Sequence, residues 1–262
     1  GDTIWEKEPS LALDLAIGAA EASYLAGDRV GMERQLARVL HFSSNPLARI
    51  RADEIATMSH VAANQISASI DRAAVAVRQA GGTLDGDPGM PQLLLGLLRA
   101  RWALQGGRRS HERLLQLPLC TDPLVQARMR LEASLFSPAF YGRPRLFPML
   151  SFIVLRETLR HGVTPESCVA LVVYGIVRAS TGDLLEGIGY GRVALALQMR
   201  LPDQRLRFRT EHIWNAHLRF WMEPWHACRD DLTRIHRGCW ENGDMEYASF
   251  AAFMSCTLGL HT

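Results

Sequence analysis

Lysine is almost absent from this chain, and one common means of binding phosphate is absent with it. Lys7 is the only lysine, so arginine supplies nearly all of the 29 basic residues. A Walker-type phosphate loop needs a lysine directly after its glycines, and Lys7 has no glycine-rich stretch before it. No GxSxG elbow, HExxH pair or dinucleotide-binding glycine pattern occurs either. We therefore expect a non-catalytic protein that holds no cofactor.

Paired cysteines and long apolar runs are also missing. The five cysteines form no close CxxC pair, and an odd number in a chain of this size is typical of reduced thiols in the cytoplasm. The runs "VALVVYGIV" and "PQLLLGLL" fall well short of the roughly 18 apolar residues of a membrane span. With a net charge of only +2, we expect neither a membrane nor a nucleic acid as partner.

The first residues, "GDTIWEKEPS", contain neither a methionine nor a signal-peptide pattern. We expect the chain to be a piece cut from a longer protein.

Strand patterns are nearly absent, whereas helical periodicity runs through the whole chain. Segments such as "LALDLAIGAAEASYLAG" repeat apolar residues every three or four positions. Glycine-containing breakers such as "GD", "TGD" and "NGD" separate these segments. The sequence therefore predicts an all-α protein.

Two stretches of the chain resemble each other, which indicates a helical repeat. Residues 17–40 and 172–197 each contain a helix, a short turn at Gly-Asp and a second helix. Gly27 and Gly182 occupy the turns. Small residues, Gly175 among them, lie seven positions before the turn, and Gly187 lies five after it, where the paired helices are expected to cross. This is the tetratricopeptide arrangement.

Extending that register along the chain predicts a solenoid. Turns are expected near Gly27, Ala63, Gly106, Gly142, Gly182 and Glu223. Their spacing exceeds the about 34 residues of a strict tetratricopeptide repeat. We therefore predict a single domain over 1–262, a right-handed α-solenoid of about six degenerate hairpins plus a terminal helix, "MEYASFAAFMSCTLGL". The Gly/Pro-rich stretch 81–91 is expected to be an inter-repeat loop.

The segment 221–240, "WMEPWHACRDDLTRIHRGCW", invites a metal-site interpretation because it holds two histidines and two cysteines. Ligands on one helix need a spacing of three or four, and His226 and Cys228 instead point to opposite sides. Five residues at helical spacing predict a buried stripe, and we expect no metal: the stripe is Trp225, Cys228, Leu232, Ile235 and Cys239.

Two further stretches have a functional and a structural interpretation. "GIGYG" at 187–191 looks like a phosphate loop, but no strand precedes it, so close helix contact is favoured. The arginines of "RLPDQRLRFRTEH" at 200–212 suggest an anion or nucleic-acid patch, but the acidic residues among them favour a solvated helix end.

Aromatic residues suggest a groove on the first helices of two hairpins. A helix over 129–140 would present Phe136 and Phe140 on one face, and a helix over 210–221 would present a second set: Ile213, His217, Phe220 and Trp221. Such a face suits a peptide or a small amphipathic ligand. The alternative is that these side chains belong to the core.

From about residue 115 onward the chain resembles a known regulatory region. "TDP", "HGVTPES", "GYG" and "GDMEYA" carry the resemblance, which extends over roughly residues 9–262. The region is the tetratricopeptide-like helical part of very large bacterial signalling proteins. In these proteins a serine/threonine-kinase-like domain and a STAND-type AAA ATPase precede it, and a GAF domain with a histidine kinase or diguanylate cyclase follows. The motifs of those domains are missing from this chain.

The resemblance and the repeat together give two hypotheses. The first is a non-catalytic regulatory or scaffolding module, cytoplasmic, that contacts neighbouring domains or partner proteins. The second is a sensor domain that binds a small molecule or peptide in its groove and changes curvature.

Overall fold

The computed structural model describes residues 3–105 and 107–260, and these residues confirm the predicted all-α class. No β-strand occurs among them; Leu119 and Val163 form one isolated bridge. The helices are α1 (Thr3–Lys7), α2 (Pro9–Leu25), α3 (Arg29–Phe42), α4 (Pro46–Ala62), α5 (Ile66–Gln79), α6 (Met90–Leu104), α7 (Gly107–Leu115), α8 (Pro123–Ser134), α9 (Phe136–Gly142), α10 (Leu146–His161), α11 (Pro165–Ser180), α12 (Leu184–Arg200), α13 (Arg207–His217), α14 (Trp225–Glu241) and α15 (Met245–Gly259).

The chain forms two compact units, and neither is a continuous segment. Unit 1 contains Gly1–Gln92 and Thr121–Ile153; unit 2 contains Leu93–Cys120 and Val154–Thr262. None of the helices in the described ranges combines the length and the apolar character needed to cross a membrane.

Unit 1 is built from helices that pack with their neighbours in the chain. α2 packs against α3 and α4 against α5, and α2 and α8 both contact α4. Small side chains such as Ala20 and Ala52 are fully buried where α1 to α4 meet. The predicted loop at 81–91 lies mostly between α5 and α6, although α6 begins at Met90.

In unit 2 the helices α11 and α12 cross at close range. A Cβ on Gly175 would lie 2.5 Å from the carbonyl oxygen of Gly187, and both glycines are buried. Only residues without a side chain allow two backbones to approach this closely. The prediction that Gly175 and Gly187 mark the crossing of a paired hairpin is therefore confirmed.

The same type of Gly-Asp turn connects the two helices in each of three pairs. The glycine has a positive φ, and the aspartate N–H donates to the carbonyl five residues earlier, which closes the first helix as in a Schellman motif. The three copies are Gly27 (φ +75°, Asp28 to Ser23, 2.8 Å), Gly182 (φ +95°, Asp183 to Arg178, 3.0 Å) and Gly243 (φ +75°, Asp244 to Cys239, 2.9 Å).

The remaining predicted turns have mixed outcomes. The turn expected at Ala63 is centred on Asn64, which has φ +56°. Gly142 ends α9, as expected, and Gly106 lies outside the described residues. The chain also turns at Glu223, but α14 packs more extensively against α15 than against α13. The last helix is therefore the second member of a hairpin across Gly243.

Candidate functional site

A groove of about 570 Å³ crosses three helices of unit 1, α2, α4 and α8. We name it the α2–α4–α8 groove. α2 and α4 are the first helices of successive pairs, and α8 lies beside α4. Its apolar wall consists of Tyr24, Leu25, Leu47, Ile55, Met58 and Pro123.

Two similar helix starts shape one rim of this groove. "NPL" begins α4 and "DPL" begins α8. The Asn45 side chain accepts a hydrogen bond from the Leu47 N–H at 2.9 Å, and Asp122 accepts one from the Leu124 N–H at 2.9 Å. A proline follows each cap at the first helical position, where it is well tolerated. The same local chemistry thus places Leu47 and Pro123 at the groove.

The charges of the α2–α4–α8 groove are balanced. Arg130 Nε lies 3.2 Å from both carboxylate oxygens of Glu54, and both side chains are about one-quarter exposed (30% and 20%). Glu21 and Arg51 are exposed beside them. An ion pair inside an apolar groove can orient a bound segment through hydrogen bonds while the groove keeps no net charge. Such a groove suits a peptide segment with apolar side chains.

A second groove, of about 380 Å³, lies in unit 2 between α12, α13 and α14. Arg219 is one of its lining residues and donates hydrogen bonds to Glu223 and Asn215 at 2.8 Å each; it also pairs with Asp231. Burial alone would raise the pKa of Asp231, but hydrogen bonds from Arg219 and Arg234 outweigh it and lower that pKa. These charged side chains are already paired with each other. Their ion pairs therefore stabilise the corner between α13 and α14.

Phe136 and Phe140 do not share one helix. The helix predicted over 129–140 is interrupted at Leu135, between α8 and α9. Phe136 is buried and packs edge-on against Phe147, with ring centres 5.9 Å apart. Phe140 is 53% exposed and contacts the same ring at 5.4 Å. Of this pair, only Phe140 offers its side chain to a ligand.

The helix predicted over 210–221 also ends early, at His217. Leu218 is buried, and a 3₁₀ turn, Arg219–Trp221, follows it. This turn removes Phe220 and Trp221 from the helix that carries Ile213 and His217. Within α13, Ile213 is a core side chain and His217 is exposed. Phe220 is half-buried and lies 5.3 Å from Trp221, which is 61% exposed. None of the six predicted residues lines either groove described above.

The segment 221–240 forms helix α14, and four of the five predicted stripe residues are buried. Cys228, Leu232, Ile235 and Cys239 are fully enclosed, and His226 is exposed on the other side, as predicted. The fifth residue, Trp225, is 42% exposed. This placement was wrong, because Trp225 is the first residue of α14 and lies at the open end of the hairpin with α15.

Burial keeps both thiols of α14 protonated at neutral pH. Burial raises the pKa of Cys228, and it raises the pKa of Cys239 to about 12. Within residues 3–105 and 107–260, no three side chains of histidine, cysteine, aspartate or glutamate are grouped so that they could hold a metal ion.

The glycines of 187–191 serve helix packing, as predicted. A Cβ on Gly191 would run into the Trp214 ring, and one on Gly189 into His111. Three arginines of 200–212 are bound to carboxylates inside unit 2: the pairs are Arg205–Glu166, Arg207–Glu211 and Arg209–Asp244.

No protein family, curated protein or solved structure matches this chain. Sequence reasoning missed the residues of the α2–α4–α8 groove. A signal was present in the repeated Asx-Pro-Leu of 45–47 and 122–124, which marks two equivalent helix starts.

Proposed function

We propose that this chain is a non-catalytic helical-repeat interaction module that binds a segment of a partner protein or of a neighbouring domain. The observation that carries the proposal is the α2–α4–α8 groove, an apolar depression across the first helices of successive pairs. Repeat proteins use such surfaces because consecutive helices extend one binding face over many residues. An apolar wall around a paired charge favours a peptide with apolar anchors.

The proposal includes the repeat architecture and the setting. Helix pairs closed by the same Gly-Asp turn support a right-handed solenoid of about six degenerate hairpins. The setting, a regulatory region of a multidomain bacterial signalling protein in the cytoplasm, is supported by the sequence resemblance alone. In that setting the module holds neighbouring domains or partner proteins and performs no chemistry itself.

A second candidate function is a sensor for a small molecule or a short peptide. The observation that favours it is the aromatic pair in unit 2 formed by half-buried Phe220 and exposed Trp221, with ring centres 5.3 Å apart. A ligand at 100 times its dissociation constant should add about 2.7 kcal/mol to the free energy of unfolding. A thermal-shift screen on the wild type and on Trp221→Ala tests this function: a ligand of this site raises the melting temperature of the wild type only.

The leading function is tested by selecting binders from a displayed library of random peptides against the whole chain. We expect selected peptides to carry spaced apolar residues and to lose binding to Met58→Glu, because Met58 is 44% exposed at the groove wall. The control is Val75→Glu on α5, where the apolar side chain is equally exposed (45%) and lies outside the groove lining. Peptides that bind both variants equally well would rule out the groove as their site.

A further inference from the structure

Helix α6 exposes a continuous apolar stripe. Leu94, Leu95, Leu98 and Trp102 are 55%, 45%, 63% and 79% exposed. Their spacing of one, three and four residues places all four on one side of the helix. We name these four residues the α6 stripe. Single exposed apolar side chains are common, but a contiguous set with a tryptophan at its end is typical of a protein-binding surface.

The other side of α6 is already used. Ala100 and Leu104 lie on the opposite face and are buried. The next helix, α7, is fastened to α12, because the Gly107 N–H donates to Glu186 at 2.8 Å and His111 lies 3.3 Å from the same carboxylate. A rotation of α6 about its own axis that buried the stripe would expose Ala100 and Leu104. The stripe therefore remains exposed to solvent.

The charge around the stripe is basic. At about 100° per residue, Arg99 borders the stripe beside Leu95 and Arg101 borders it beside Leu94. Both arginines are exposed. The segment 93–120 contains five arginines, one glutamate and no aspartate. A partner that covers the stripe would therefore meet positive charge on both edges.

We propose that the α6 stripe docks an amphipathic helix with acidic flanks, supplied by a partner protein. Leucine-like side chains of that helix would pack between Leu94, Leu98 and Trp102. Its glutamates or aspartates would face Arg99 and Arg101, where charge-assisted hydrogen bonds are strongest. This surface shares no residue with the α2–α4–α8 groove, so either proposal can fail without the other.

Charge and size both favour this occupant over a second copy of the chain. Two copies joined through the stripe would bring arginines against arginines, and like charges at an interface are unfavourable. Four apolar side chains offer a few hundred Å², whereas a stable interface between globular proteins buries about 800 Å² on each partner. A single docked helix matches the smaller area.

The test uses a labelled synthetic helix of about 18 residues, long enough to be partly helical in water. One version has leucines along one face and glutamates on both flanks; its twin has lysines in place of the glutamates. Fluorescence anisotropy with the full chain should show that the glutamate peptide binds at least about tenfold more tightly than the lysine twin. Leu98→Glu should abolish this binding. Leu185→Glu, at an 81%-exposed leucine of α12, should leave it unchanged.

Reversal of the edge charges is the sharper test. The double variant Arg99→Glu with Arg101→Glu should prefer the lysine twin, with helicity by circular dichroism unchanged. Equal affinity for both peptides, or no binding of either, would overturn the proposal. So would a dimer of the free chain that Leu98→Glu dissociates, or binding to vesicles of anionic phospholipid that Leu98→Glu removes while the peptides show no preference.

Discussion

Gly175 and Gly187 bring the backbones of α11 and α12 into direct contact, since a Cβ on Gly175 would lie 2.5 Å from the Gly187 carbonyl oxygen. Gly175→Ala should therefore lower the free energy of unfolding by about 1–3 kcal/mol through overpacking. The matched control is Gly18→Ala in α2, where no atom lies within 4 Å of the added Cβ. That change should raise the free energy of unfolding by up to about 1 kcal/mol, because alanine favours helix. Urea unfolding of both variants checks the opposite signs; a neutral Gly175→Ala would refute the tight crossing.

The aspartates of two Gly-Asp turns should contribute unequally to stability. Asp28 accepts a hydrogen bond from the Gly31 N–H at 2.8 Å, so Asp28→Ala should cost about 1 kcal/mol, as loss of a helix cap does. Asp244 caps α15 through the Tyr247 N–H and also pairs with Arg209 at 2.5 Å. Asp244→Ala should cost about 1 kcal/mol more, because Arg209 loses a charged hydrogen-bond partner. If both variants lose the same free energy of unfolding in urea, the ion pair between Asp244 and Arg209 adds nothing to stability.

The segment 221–240 should behave as core. Leu232→Ala should cost roughly 2–5 kcal/mol, and Cys228→Ala about 1 kcal/mol, since a buried cysteine acts as a small apolar side chain. His226→Ala, at an exposed position of α14, should leave stability unchanged, as should a chelator. Denaturant midpoints and metal analysis of the purified protein check this order. Stoichiometric zinc, with His226 as sensitive as Leu232, would reverse the interpretation.

His212 should make the fold less stable in acid. Burial, with a smaller effect from the nearby charge of His217, lowers the pKa of His212 from 6.5 to about 4. Between these two values the unfolded chain binds more protons than the folded chain, so the free energy of unfolding falls as the pH falls from 6.5 to 4. The loss should be on the order of 2–3 kcal/mol.

The matched variants for this effect are His212→Phe and His226→Ala. The His212 ring packs against Tyr247, with ring centres 5.5 Å apart, and a phenylalanine keeps that contact without a proton site. His212→Phe should therefore lose this part of the acid sensitivity in urea unfolding at pH 6.5 and 4, and His226→Ala should retain it. An unchanged pH dependence in His212→Phe would assign the effect to other groups.

The sequence predicted those features of the fold that depend on local chemistry. Periodicity predicted helices, and the Gly-Asp turns at Gly27 and Gly182 marked the ends of two of them. The crossing at Gly175 followed from small residues at fixed distances from the turn. The third Gly-Asp turn, at Gly243, carries the same signal, but the register that placed a hairpin at Glu223 left the last helix unpaired.

The predicted aromatic face was wrong because its placement depends on where helices end. Apolar periodicity continues through Leu135 and Leu218, so no local signal showed that both predicted helices end there. Compared with the predicted continuous helices, both breaks change which aromatic side chains lie in the core and which lie at the surface. The exposure of Leu98 and Trp102 could not be predicted for a different reason. Helix α6 is apolar on two sides, and periodicity does not tell which of the two a neighbouring helix covers.

The most direct measurement of the central claim is photo-crosslinking from the α2–α4–α8 groove. A photoreactive amino acid in place of Met58 should crosslink to a peptide selected from the displayed library. The same amino acid in place of Val75, equally exposed on α5, should not. Crosslinking from position 75 and none from position 58 would contradict the account, because the peptide would then bind outside the groove.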